Sequence, residues 1–213
     1  MNHSTLTAIV LLTATGLLAV GCGSGTEPAG EDGDRPRAEA PSAADKALLQ
    51  QQVAEAKKIT KDFVGSLKGE LKKAMQAGGP VNALSVCHTK AIPITNEVAS
   101  RHGVQLSRVS LKNRNPNNAP TDWQKPVLGE FDARAANGED PKTMAFATLV
   151  EVDGKKQFRF MKAMPVGKVC LNCHGAELEP EVRAKLDELY PDDKATGYSL
   201  GQVRGAVVIV KDL

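Results

Sequence analysis

Residues 170–174 read Cys-Leu-Asn-Cys-His. Two thiols at this spacing can add across the two vinyl groups of a haem as thioethers, and the histidine that follows then supplies a nitrogen to the iron. Two other chemistries use such a pair. A structural zinc site needs four ligands, usually as two Cys/His pairs. Only Cys87-His88 offers a second pair, and adjacent helical residues do not easily face one metal together. A redox dithiol should open a helix after a strand in a βαβ unit, whereas this motif follows a hairpin pattern. Covalent attachment of one haem c is therefore the expected chemistry, with Cys170 and Cys173 as thioether residues and His174 as an axial ligand.

The opposite face of the iron has five candidates by chemistry: Cys87, His88, His102, Met161 and Met164. Each also has an ordinary structural role. The methionines suit hairpin packing, and His102 suits a helix C-terminus, where a positive group complements the dipole. His88 suits an exposed helical position, and Cys87 suits a small buried hydrophobe. Cys87 leads this field. It shares an apolar stripe, and it is left without a partner if Cys170 and Cys173 carry haem and Cys22 carries lipid.

Cys22 closes the run Ala19-Val20-Gly21-Cys22, which resembles a bacterial lipobox. Residues 1–21 contain no Asp, Glu, Lys or Arg, and their apolar run Leu6–Gly21 is shorter than the roughly 20 residues of a transmembrane helix. A lipoprotein-type signal is expected over 1–21, the competing reading being an uncleaved anchor. Residues 22–44 are rich in Gly, Pro, Ala and acids and read as a flexible tether. Residues 45–213 form the expected folded domain. Lipid anchor, tether and domain in this order imply an exported protein held by Cys22 at the periplasmic side of a bacterial membrane. The compartment also suits haem c, which is attached on the outer side of that membrane.

Charge excludes more than it suggests. The chain carries a formal net charge of +2, and the tether is acidic, so the domain is mildly basic. No basic run with interleaved aromatics is present, which argues against nucleic acid.

The elements that must position these residues follow from periodicity. Leu49, Val53, Ala56, Ile59, Phe63, Leu67 and Leu71 recur at helical spacing over 45–77, which predicts a long N-terminal helix. Gly65 and Gly69 should weaken it, and Gly78-Gly79-Pro80 should close it. Leu84, Cys87, Ala91, Ile94 and Val98 form a second helical stripe over 81–101. Pro93 inside it should kink the helix, and His88 should lie about 100° from the stripe. A strand near 104–111, an Asn/Pro turn and a helix over 122–136 come next. A hairpin over 143–152 and 156–164 turns at Asp153-Gly154. A helix over 179–189 and a strand over 203–210 complete the pattern. Helices followed by hairpin-connected strands imply an α+β fold, a mainly antiparallel sheet flanked by helices.

Four segments together carry a resemblance. "VCHTKAIPI" (86–94), "SLKNRNPNNAPTDWQKPVL" (110–128), "VCLNCHG" (169–175) and "YPDDKATGYSLGQVRGAVVIV" (190–210) are similar to the PAS-like c-type haem domains. These occur as small exported cytochromes and as sensor modules of bacterial signalling proteins. Gln124 and Gln202 stand where that family more often has an acid. The resemblance implies a PAS-like sheet and an axial pair of His174 and Cys87. Thiolate ligation would favour ferric iron and a low potential. A thiolate is also a ligand that protonation or reduction can loosen, opening the iron to a small diatomic ligand such as CO or NO.

Other residues are candidate contacts of the haem. Arg108, Lys112 and Arg114 surround the Asn/Pro turn and could pair with propionates. Trp123 and Tyr198 could pack on the porphyrin. The functional expectation is a non-enzymatic, low-potential electron-transfer cytochrome with a separate redox partner. The alternative is a redox or diatomic-gas sensor module. No kinase, cyclase or membrane segment follows Leu213, so a sensor would report to a separate signalling partner. A haem enzyme is disfavoured, since iron with two protein ligands has no open site and no distal acid–base pair is evident.

Overall fold

Ser42 opens the first helix by accepting the Asp45 N–H on its hydroxyl at 3.0 Å, so α1 (Ala43–His102) begins two residues before the expected start. The computed structural model describes residues 42–213. The expected signal sequence, Cys22 and the tether up to residue 41 lie outside the described residues.

α1 contains both expected helices, broken where Gly78 and Gly79 leave helical geometry. Gly79 takes φ 66°, a conformation that glycine adopts without a Cβ penalty. The Asn82 amide donates to the Ala74 carbonyl at 2.9 Å, satisfying a helix-end acceptor. The chain then returns along itself, and Asp62 of the first half meets Arg101 and His102 of the second at 2.9 and 3.0 Å. Gly65, Gly69 and Pro93 all keep helical geometry. The break at the glycine pair is the expected end of the first helical pattern, and the backbone dihedrals stay helical through Pro93. Gly103 ends α1 at φ 60°, its N–H returned to Ala99 and Ser100 carbonyls.

Four strands follow in chain order: β1 (Gln105–Val109), β2 (Ala145–Val152), β3 (Lys155–Pro165) and β4 (Val203–Asp212). They pair antiparallel in the order β1-β4-β3-β2. Asp153 and Gly154 both take positive φ, 51° and 74°, the geometry of the tight turn that the Asp-Gly pair prefers. Three further helices are α2 (Gln124–Ala136), α3 (Leu171–His174) and α4 (Pro180–Leu189).

The alternation of strand side chains divides the core into two layers. Phe158 and Phe160 of β3 and Val207 and Ile209 of β4 pack against Ala56, Ile59, Phe63 and Val98 of α1. Met161, Ala163, Ala206 and Val208 face the other way, against Val127, Leu128 and Phe131 of α2. Both faces of the central strands are thus covered. The expected α+β, PAS-like architecture with its long N-terminal helix is the observed one.

The sheet also fixes where the thiol motif emerges. The β3–β4 register shifts between Met164 and Pro165, and Val166 then bonds across to Gln202 and Gly201. The chain leaves the sheet there and enters the turn that carries Cys170. On the opposite wall, α4 packs Val182 and Leu186 against Leu84 of α1, one turn before Cys87.

Candidate functional site

A short 3-10 turn, Lys168–Cys170, leads into the single turn of α3. Gly167 N–H points at the Cys170 sulfur at 3.4 Å. Gly175 N–H closes on the Leu171 carbonyl at 3.0 Å. A Cβ at position 175 would stand 2.7 Å from that same oxygen, so any residue but glycine after His174 forces the turn to shift. Cys170, Cys173 and His174 line one cavity with Cys87 and His88 of α1. Leu67, Leu71, Met75 and Ile94 give it apolar walls, and Arg108, Arg114 and Arg204 bring cations into it.

His174 is held by its Nδ1. That atom lies 2.7 Å from the Ala195 carbonyl oxygen and 3.2 Å from Arg204 Nε. A carbonyl oxygen only accepts, so Nδ1 carries the proton and donates it to Ala195. Arg204 Nε–H then has no lone pair to meet and stands beside the ring as a charge. Burial, followed by the Arg204 and Arg114 charges, pushes the imidazole pKa down to about 2. The ring is therefore neutral, with Nε2 left as an unprotonated donor, which is the form that binds a metal.

The strap from Tyr190 to Tyr198 fixes the backbone of the same residues. Tyr198 N–H donates to the His174 carbonyl and Gly197 N–H to the Gly175 carbonyl, each at 2.9 Å. The Tyr198 ring meets the imidazole edge-on at 6.3 Å.

Burial raises the thiol pKa of both Cys87 and Cys173, opposed at Cys87 by the charges of Arg108 and Arg114. Arg108 has no salt bridge among the described residues. The groups that oppose its burial are the Cys87 thiol and the Tyr190 phenol. Arg114 is paired with Asp193 at 3.0 Å. Arg204 donates from Nη1 to Ser110 Oγ at 3.0 Å and to the Lys112 carbonyl at 3.2 Å, with no carboxylate partner among the described residues. Two guanidinium groups thus face the cavity without a counter-charge from the described chain.

Of the five residues that could face the motif, the cavity receives Cys87 and His88. His88 was expected away from the stripe, yet it reaches the cavity with its ring edge-on to Tyr190 at 5.0 Å. His102 is bonded to Asp62, Met161 is buried in the α2 layer, and Met164 packs against the α1 layer. Arg108 and Arg114 line the cavity, but Lys112 does not. Its ammonium donates to the Thr196 carbonyl and sits 4.5 Å from the Tyr198 ring centroid, so its charge is taken up by the strap. Trp123 is also elsewhere, packed on Phe146 and Arg159.

Arg204 and Tyr190 were not singled out from the sequence. Arg204 had a signal, as the one charged residue in the run Val203–Val210. Gln124 and Gln202 each accept a backbone N–H at 2.9 Å, from Thr121 and Ser199. An acid would accept the same bonds, so both departures from the family pattern preserve the turn.

The family model for Tll0287-like proteins matches residues 39–211. The chain belongs to this family. Among solved structures, the crystal structure of the cyanobacterial heme-protein Tll0287 is similar, with a TM-score of 0.57 and 25% identity. The match covers 76% of this chain and 95% of that one. No curated protein matches the chain.

Proposed function

We propose that this chain is an exported c-type haem protein acting in low-potential electron transfer. The observation that carries this reading is the meeting of Cys170, Cys173, His174 and Cys87 in one apolar cavity that also holds unpaired guanidinium groups. That donor set fits a haem. Two thiols precede the histidine for thioether attachment, His174 offers a neutral Nε2, and the Cys87 thiol on α1 would be available as a second ligand to the iron. Arg108 and Arg204 supply cations for the propionates, with Arg204 taking the part first assigned to Lys112. One haem matches one motif. Kinship with a family represented by a solved heme-protein supports the same assignment.

The haem, when bound, supplies a reversible one-electron couple. The chain's own residues set its conditions. His174 donates a fixed nitrogen, its orientation held by Ala195. Cys87 has to lose its proton to ligate, and Arg108 and Arg114 favour that loss while burial opposes it. Thiolate ligation favours the ferric state and a low potential. Leu67, Leu71 and Ile94 keep water from one wall.

Export and a lipid at Cys22 would hold the domain at the periplasmic face of the membrane. Among the described residues no helix is long and apolar enough to cross one. The partner is a separate redox protein.

A sensing role is favoured by one feature, the burial that raises the Cys87 pKa. A reluctant thiolate is a ligand that reduction or acid can release, which would admit a diatomic ligand and signal to a separate partner. Spectroelectrochemical titration of the haem-loaded full chain, with and without CO or NO, separates the two roles. Rapid reversible cycling with both ligands retained supports electron transfer. Ligand loss with gas binding in the ferrous state supports sensing and overturns the electron-transfer assignment.

A further inference from the structure

Asp193 lies in the strap, and its carboxylate splits its two oxygens between two tasks. Oδ2 accepts a hydrogen bond from Nε of Arg114 at 3.0 Å, and Nη2 lies 3.0 Å from the same oxygen as an ion-pair contact. Oδ1 receives the backbone N–H of Ala195 at 2.8 Å. The side chains of the ion pair are nearly enclosed, at 10% and 9% exposure. Arg114 extends the network to the motif, donating to the Cys173 carbonyl and, at 3.4 Å, to the Ala195 carbonyl. That second carbonyl is the one that accepts His174 Nδ1–H at 2.7 Å. Lys194 N–H, donating to the Asn113 carbonyl at 3.1 Å, staples the same segment from the other side.

Each link narrows the freedom of the imidazole. A peptide carbonyl can orient a ring only if it is itself held. The Ala195 carbonyl belongs to the peptide plane after the Ala195 N–H. Asp193 steadies it from two sides, by anchoring that N–H and by holding Arg114, which donates to the carbonyl. A charged guanidinium beside a neutral histidine also needs a counter-charge, or it acts unscreened on the ring in this enclosed space. Asp193 supplies that counter-charge. It is two hydrogen bonds from His174 and is not itself part of the cavity lining, which it meets through Arg114.

We propose that Asp193 is the positioning residue of the site: it fixes the orientation and tautomer of His174 through Ala195, and it holds down the haem potential by neutralising Arg114. This inference rests on the haem reading above. The orientation role uses the hydrogen-bond acceptor at Oδ1, and the potential role uses the negative charge. Asn retains the first and loses the second, whereas Ala loses both.

The test uses the haem-loaded full chain, with the haemochrome spectrum in alkaline pyridine as proof of covalent loading. Asp193→Asn should keep the wild-type ferric paramagnetic spectrum. Poised at the wild-type midpoint, it should show a ferrous-to-ferric ratio raised about tenfold, an upward shift of about 59 mV for one electron. Asp193→Ala should raise the ratio similarly and also broaden or split the ferric signal as the His174 ring loses its fixed plane. If Asp193→Ala does not fold, Asp193→Leu replaces it, since Leu fills the enclosed space and likewise lacks the acceptor, and Asp193→Asn decides the charge role. A midpoint within twofold of wild type in loaded Asp193→Asn overturns the charge role. A wild-type ferric spectrum in loaded Asp193→Ala overturns the orientation role. Wild-type protein that takes no haem overturns the haem reading itself, an outcome the haemochrome distinguishes from the other two.

Discussion

Cys87 on α1 and His174 on α3 line the same cavity, although three of the four strands, β1, β2 and β3, lie between them in the chain. α1 is held across one face of that sheet by Phe63, Val98 and their neighbours. α3 emerges from the end of β3, where the register shifts at Pro165. The site is therefore a property of the assembled fold, and it is sensitive to contacts that touch neither residue.

Gly205 is one such contact. It has φ 148°, and a Cβ there would stand 2.2 Å from the Val109 carbonyl oxygen. Gly205→Ala should therefore be strained in both backbone and packing, destabilising the domain by roughly 2–4 kcal/mol. Arg204 and Ser110, which flank this contact, should lose their bond. Denaturant unfolding measures the first effect, and the yield of loaded protein measures the second.

The attachment chemistry is tested most simply by denaturation. Replacing both Cys170 and Cys173 by Ser should abolish haem that stays with the chain on a denaturing gel. The single variants should retain one thioether, with a red-shifted haemochrome band. His174→Ala should keep the thioethers and change the axial spectrum.

Arg108 and Lys112 should behave differently, although the sequence places them close together. Arg108→Gln removes a cation from the cavity, so the ferric state gains and the midpoint falls. One charge at roughly 10 Å in a medium of effective dielectric near 20 acts with tens of millivolts. Lys112→Gln removes a charge directed at Thr196 and Tyr198 and should move the midpoint far less. Paired redox titrations decide it.

Asp62 ties the two halves of α1 together. Its hydrogen bond to His102, followed by the Arg101 charge, holds its carboxyl below the ordinary value of 3.8. A carboxyl with a lowered folded pKa contributes stability above its ordinary value and loses it as pH falls through the folded value. The domain should therefore lose part of its stability below about pH 4. Asp62→Asn should be slightly less stable at neutral pH and should lose less on acidification, measured by thermal melts from pH 6 to pH 2.5.

Much of this arrangement was legible in the residues, for identifiable reasons. The Asp153-Gly154 turn, the three- and four-residue stripes of α1 and the cysteine motif are local patterns, and local chemistry alone specifies them. The cavity lining was less legible. The direction of Lys112 depends on where the strap crosses, which is fixed by long-range bonds such as Lys194 to Asn113. Tyr190 reaches His88 only because α4 docks on α1. The break at Gly78-Gly79, by contrast, belongs with the legible features, since a Gly-Gly-Pro run is a local signal for ending a helix.

In the proposed holoprotein Cys87 and His174 hold one iron between them, and the ferric spectrum of Cys87→Ser reads out that pairing. Low-spin ferric iron with thiolate and imidazole ligation is expected in the wild type. In the variant, that optical and paramagnetic signature should be lost while covalent haem content is unchanged. A fully loaded Cys87→Ser protein with the wild-type low-spin spectrum would contradict it.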